Sequence, residues 1–437
     1  MYKIYITIII LIILGVIEYK KYKHILAATV IYPVMWVLSL IGIIIIGDEY
    51  YELTWALPCV IILGYVMFII GFRIAYKKDS TGPYGDDKRE LTDDDIGNQM
   101  TGINLVTAIC LGVTVLAVFF LVKEIDFDNI LESLSRIKQR IDAGEKPFPY
   151  VVVVSRYFLR CAIWYLALVF FRIPKEAGYK TRSGKNFKAE VMVRLIAVSC
   201  MAFVVMFTDV SRNDILMTLL PVLFIFLLAK RMGNGKILVF SVLCFVFFFV
   251  LFSIFIYFRS GTLDSFDANG MENGKDSFKG YLTGSLPAID QMYQKGRIEM
   301  ITLSGESGRY TFSLLGAVSD MLFGTKLKPE VLQDYIEIGP GKIINVFTYY
   351  HWLGMDFGLI YAALFQFLYG ILYGFLYSRT MKNRFSECLW YCILSYPLLM
   401  MFFEDQYLAI AQTWFILAAF IFFITLVCNR AKMKVRV

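Results

Sequence analysis

Apolar residues in this chain come in long runs broken by short polar segments. Eleven runs are long enough to cross a bilayer, which takes roughly 17–25 residues. They fall near 2–18, 25–47, 53–72, 102–122, 148–171, 191–208, 213–229, 237–258, 355–378, 387–403 and 407–428. The sixth and seventh are short and are separated only by "TDVSR". The first run carries no signal-peptide cleavage pattern, so it is expected to stay as a helix. The pattern predicts an all-α polytopic membrane protein, a single integral membrane domain over 1–437 with about eleven transmembrane helices.

The polar segments set an orientation. One alternating set is basic: "KKYK" at 20–23, "RIAYKK" at 73–78, Arg172 to Lys188, "KRMGNGK" at 230–236, "RTMKNR" at 379–384 and the tail "RAKMKVRV". The opposite short loops near 48–52 and 404–406 hold no Lys or Arg. Positive charge marks the cytoplasmic side, so the N-terminus is expected outside and the C-terminus inside. Residues 73–101 then form a cytoplasmic loop. Two outer segments are substantial. Residues 123–147 have apolar positions at helical spacing among many charges, as in an interfacial amphipathic helix. Residues 259–354 form one large extracytoplasmic loop, far longer than an ordinary connection. Within it, "FSLLGAVSDMLFG" (312–324) is apolar but too short to span, which predicts a re-entrant or surface-lying helix. No internal repeat is visible, which disfavours the repeat-built transporters.

Composition agrees with this class. Of 437 residues 58% are hydrophobic, and the mean hydropathy is +0.62; a soluble protein of this length would expose too much apolar surface. The net charge of +7 lies in short loops between apolar runs, where it orients the chain, so no nucleic-acid partner is expected. The eight cysteines lie in apolar segments or at their ends. Cys388 and Cys392, four apart without a nearby His, read as membrane core, and no metal or other cofactor is expected.

Chemistry enters with Arg156 and Arg160 in "YVVVVSRYFLRCAIWYLALVFF". At about 1.5 Å per residue they lie two and three turns below the outer surface. Their spacing of four puts both on one helix face. An Arg at mid-bilayer costs at least ~2.5–3.5 kcal/mol, so each needs a partner. Either they pair with buried carboxylates or snorkel outward, or they line a cationic pocket for an anion such as a diphosphate. Arg212, between Asp209 and Asp214, is an anion ligand at a helix start or part of a capped turn. Arg309 precedes the short apolar helix and could face the same cavity. Asp290 is a possible general base or a capping residue. Glu404 and Asp405, in "MFFEDQY", read as a solvated turn or as salt partners of the arginines.

The stretch "NVFTYYHWLGMDFG" gathers hydrogen-bonding and titratable groups at the mouth of an apolar run. Asn345, Tyr349, Tyr350 and Trp352 could present a sugar-stacking rim or an interfacial belt. His351 and Asp356 stand among them, with Asp356 able to cap the next helix.

"NVFTYYHWLGMDFGLIYAALFQFLYGILYG" resembles the segment after the large extracytoplasmic loop in bacterial O-antigen and capsular polysaccharide polymerases, the Wzy-type family. "GSLPAID", "SGRYTFSLLGAVSDMLFG" and "SRNDILMTLLPVLFIFLL" resemble further parts of that pattern. The turn before Arg212 differs, being "TDVSR" where the family is often Gly-rich. The resemblance implies a GT-C-like glycosyltransferase without a metal. Its substrate would be an undecaprenyl-diphosphate-linked oligosaccharide, and it would act at the outer face of the bacterial inner membrane. Membrane lipids and the flippase and chain-length regulator of the same pathway would be its partners. Arg156, Arg160, Arg212 and Arg309 would bind diphosphate, and Asn345, Tyr349, Tyr350 and Trp352 the sugars. The base would be His351, Asp356 or Asp290. Two other readings share parts of the pattern: an O-antigen ligase, which uses a different acceptor, and a transporter or flippase of the lipid-linked unit.

Overall fold

A computed structural model describes residues 1–46, 49–77, 93–126, 129, 132–133, 136–137, 140, 148–173, 185–207, 212–230, 232–244, 280, 283–302, 308–323, 335–382 and 384–433. Most of them are helical. The helices are α1 (Tyr2–Tyr22), α2 (Ala28–Ile46), α3 (Ala56–Ala75), α4 (Asp93–Leu121), α5 (Tyr150–Arg172), α6 (Phe187–Phe207), α7 (Arg212–Ala229) and α8 (Asn234–Cys244). After them come α9 (Ser285–Gln294), α10 (Ser313–Phe323), α11 (Tyr350–Phe357), α12 (Leu359–Met381), α13 (Phe385–Met400) and α14 (Ala411–Met433). The one sheet among the described residues is a hairpin of β1 (Ile336–Gly339) and β2 (Lys342–Ile344), antiparallel with Ile336 opposite Ile344.

Eight of these helices are long and apolar enough to cross a membrane: α1 to α6, α12 and α14. Three shorter apolar helices cover Asn213–Ala229, Asn234–Cys244 and Phe385–Met400; each lies on one of the remaining expected runs. The chain is therefore a membrane-embedded, all-α polytopic protein. The segments expected as a cytoplasmic loop, 73–101, and as an amphipathic helix, 123–147, fall largely outside the described residues; of the expected outer loop, 259–354, residues 280, 283–302, 308–323 and 335–354 are described and carry α9, α10, the hairpin and the start of α11. Arg259 lies outside the described residues.

The chain forms two compact units. The first comprises Met1–Asp86 and Asp276–Gln412. Its spine is α3 against α12, and glycine explains how close they come. A Cβ on Gly71 would collide with the Phe367 carbonyl oxygen, one on Gly370 with that of Phe68, and one on Gly374 with that of Phe72. With no hydrophobic drive between helices in lipid, main-chain approach of this kind supplies the packing. On α1, the fully buried carboxylate of Glu18 pairs with Arg73 of α3. Pro58 sits in the first turn of α3, where its missing N–H would have no partner anyway.

The start of α12 is held by main chain. Gly358 adopts φ +90°, and a side chain there would meet Met300 and Ile301. The vacant space lets residues 299–302 clasp the junction. Leu359 and Ile360 amides donate to Glu299 and Met300 carbonyls, and Thr302 donates to Phe357, each at 3.0 Å. Only glycine adopts this conformation at no steric cost.

The second unit comprises Asp87–Lys275 and Thr413–Val437. Its centre is α5, which packs on α4, α6 and α7 and is buried from Phe158 to Val169. Pro149, extended at φ −65° ψ 156°, ends the preceding segment and opens the helix.

Candidate functional site

Each group of candidate residues is described within its own unit. In the second, the four-residue spacing of α5 places Arg156 and Arg160 one turn apart, 5% and 0% exposed. Arg160 is held on three sides by α7. Its Nη2 donates to Asp214 Oδ1 at 2.6 Å, its Nε to Thr218 Oγ1 at 3.0 Å and its Nη1 reaches Met217 Sδ at 3.1 Å. Asp214, Met217 and Thr218 follow i, i+3, i+4 spacing, so one stripe of α7 faces one guanidinium. Thr218 Oγ1 donates in turn to the Asp214 carbonyl at 2.7 Å, and Trp164 Nε1 donates to the Thr218 carbonyl at 3.0 Å. Asp214 keeps 24% of its side chain exposed. Arg160 is thus neutralised by a carboxylate that still has an open side. Arg156 lies 5.7 Å from the Phe148 ring centroid. Arg212 is the first residue of α7, but its side chain lies outside the described residues.

In the first unit, the stretch after β2 divides into an inward and an outward set. Tyr349 and Tyr350 have no exposed surface. The Tyr349 amide donates to the Met401 carbonyl at 2.9 Å, and the Tyr350 hydroxyl points at the Val60 carbonyl, 3.4 Å away. Asn345 is exposed and Trp352 half-buried. Trp352 stacks on Tyr310 with centroids 5.4 Å apart and planes at 21°. That ring pair is fixed by Asp356, whose two carboxylate oxygens accept the amides of Tyr310 at 3.2 Å and Thr311 at 2.5 Å. Asp356 therefore sits in the last turn of α11 and braces the 308–312 turn; the start of α12 is held by the main-chain clasp instead. Arg309, the neighbour of Tyr310, is exposed.

His351 lies between Phe347, 4.1 Å away and nearly parallel, and Trp352 at 4.2 Å. Burial pulls its imidazole down to about 3, so it is neutral at physiological pH. Asp290 is fully buried within α9. It accepts the Thr54 amide at 2.9 Å, the Thr54 hydroxyl at 2.6 Å and Gln294 Nε2 at 2.8 Å. Its oxygens tie α9 to the segment leading into α3.

The structure therefore gathers Tyr310, Trp352, Asp356 and His351 around α11. It places Asp290 on α9, and Arg156 and Arg160 in the second unit. Sequence reasoning did not assign the carboxylate that meets Arg160, because Asp214 is 54 residues away in the chain. It also misjudged the turn after α13. Asp405 is 1% exposed rather than solvated, and no arginine pairs with Glu404 or Asp405 among the described residues. The signal was there: two adjacent carboxylates flanked by "MFF" and Tyr407, with no basic residue in the turn. No known protein family, curated protein or solved structure matches the chain.

Proposed function

We propose that the chain is a polysaccharide polymerase spanning the bacterial inner membrane eleven times, N-terminus outside and C-terminus in the cytoplasm. It would transfer a growing glycan from undecaprenyl diphosphate to a hydroxyl of the next lipid-linked repeat unit at the outer face. The observation that carries this reading is the pair of guanidinium groups of Arg156 and Arg160, buried one turn apart in a membrane-length helix. A cation there is costly and has to be matched by an anion. Asp214 matches Arg160 through a partly open carboxylate, a contact that an incoming diphosphate could share or displace.

In such a transfer the leaving group is an anionic lipid diphosphate, and charge grows on its bridging oxygen as the glycosidic bond breaks. Fixed guanidinium groups in a water-poor site stabilise that charge without reorganising. The stacked pair Tyr310–Trp352 offers an aromatic face to a sugar ring.

The test uses purified protein with its lipid-linked repeat unit, resolved by chain length on a gel, for wild type and Arg156→Gln. A wild-type ladder that collapses in a folded variant supports the reading. Transport of the lipid-linked unit across proteoliposomes without a ladder would replace it with a transporter. Glycan delivered to a lipid A core would replace it with a ligase.

A further inference from the structure

Glu404 and Asp405 occupy the turn between α13 and α14, where two carboxylates meet no cation among the described residues. One Asp405 oxygen, Oδ1, accepts the amides of Tyr407 at 2.9 Å and Leu408 at 3.2 Å. The other, Oδ2, is buried with no hydrogen-bond partner among the described residues. Glu404 Oε2 accepts Gln406 Nε2 at 2.6 Å, and Gln406 Oε1 accepts the Tyr396 hydroxyl at 3.1 Å. Glu404 keeps part of its surface open, so the pair has an outer and an inner member.

Besides the Gln406 amide, the side chains around the pair are tyrosines: Tyr349 ahead of α11, Tyr369 on α12 and Tyr407 in the turn itself, with Tyr373 of α12 bonded to Tyr407 and Tyr396 of α13 to Gln406 behind them. The Asp405 charge acts on the hydroxyls of Tyr349, Tyr369 and Tyr407. The rings of Tyr369 and Tyr407 stack at 4.2 Å, and the Tyr407 and Tyr373 hydroxyls lie 2.8 Å apart. The Tyr349 and Tyr369 hydroxyls pair with each other, whereas Asp405 Oδ2 is buried with no hydrogen-bond partner among the described residues. A buried acceptor left in this state costs about 1–3 kcal/mol unless something hydrogen-bonds to it.

We propose that Glu404, Asp405 and the tyrosine hydroxyls around them form a proton-binding site, in which the carboxyl pair holds one exchangeable proton. Two adjacent negative charges with no counter-cation cannot both persist in a poorly solvated turn; taking up a proton removes one of them. It also converts an acceptor into an O–H donor beside tyrosine hydroxyls whose oxygens can accept it. Burial, with the neighbouring Asp405 charge as the second cause, pushes the Glu404 carboxyl up to about 7; burial pushes Asp405 up to about 6 against the pull of its backbone amides.

This site does not rest on the polymerase reading.

Dicyclohexylcarbodiimide reacts with protonated carboxyls in apolar surroundings, so it reads the site without any glycan substrate. Full-length protein in native membranes is labelled across pH 5 to 9, and the peptide containing 404–405 is quantified by mass spectrometry. The expected result is an adduct that grows as pH falls through about 7. In Asp405→Asn the loss of the neighbouring charge should move the midpoint of Glu404 labelling down by about one pH unit, roughly a fivefold loss of adduct at pH 7. No adduct, a pH-independent adduct, or an unmoved midpoint in Asp405→Asn would overturn the site. Protection by sodium but not by choline would assign it to a metal cation instead. If Asp405→Asn fails to fold, the wild-type titration decides alone.

Discussion

Arg160 and Asp214 are joined across 2.6 Å, from a side chain with no exposed surface to one that is 24% exposed. The two ends of this ion pair are therefore unequal. The guanidinium depends on the carboxylate for neutralisation, whereas the carboxylate retains access to other partners.

The inequality predicts an asymmetric response to mutation. Asp214→Ala strands a fully buried cation and should cost about 3–5 kcal/mol. Arg160→Met leaves a partly solvated carboxylate and should cost less, about 1–3 kcal/mol. The double variant should be more stable than the sum of the singles implies. Thermal unfolding of the three purified variants in detergent checks this, and strict additivity would contradict it.

Asp356 should matter for the Tyr310–Trp352 ring pair. Its carboxylate accepts two main-chain amides, one of them, Thr311, in a buried residue. Asp356→Ala should cost about 1–3 kcal/mol and release the 308–312 turn. Amide exchange at 310–311 should rise and Trp352 fluorescence should change. Asp356→Asn keeps one acceptor oxygen and should lie between the two.

Acid and neutral pH should act through different groups, all outside the membrane-spanning helices. The His351 value falls from 6.5 to about 3 on folding. Its stabilising contribution is full above 6.5 and is lost as pH drops from there toward 3. Glu404 rises from 4.5 to about 7 and Asp405 from 3.8 to about 6. Their contribution is full below those ordinary values and is lost as pH climbs through 6 to 7. The carboxyl losses begin at 3.8 and 4.5 and together outweigh the His351 gain above that, so melting temperature should pass through a maximum at about pH 4 and fall on both sides of it. His351→Phe should flatten the acid limb and Glu404→Gln the neutral one.

Much of this was legible in the sequence. Runs of Leu, Ile, Phe and Val fix where helices lie, because a spanning segment must satisfy its own backbone. The short apolar stretch at 312–324 likewise forms α10. Pairings across the chain were not legible. Nothing near Arg160 in sequence announces Asp214, since the match depends on how α5 and α7 are rotated. Asp356 and Asp290 read as helix caps or a base; that each also holds a remote segment, at 310–311 and at Thr54, is not visible in the sequence. Tyr349 and Tyr350 belong to a stretch with the composition of an interfacial belt, yet both turn inward, because their hydroxyls can be accommodated among other buried polar groups.

The α3–α12 crossing makes a further prediction. Gly370→Ala puts a methyl group against the Phe68 carbonyl and should cost about 1–3 kcal/mol or more, as overpacking does. The loss should appear as a lower melting temperature with helix content unchanged.

That crossing also limits how the first unit can move. Gly71, Gly370 and Gly374 each sit opposite a particular carbonyl of the other helix. Sliding one helix by a single residue would bring a side chain where a glycine had been. The pair is locked in register like meshed teeth, so it acts as a fixed post. Any opening and closing of this unit has to be made by the elements hung upon it.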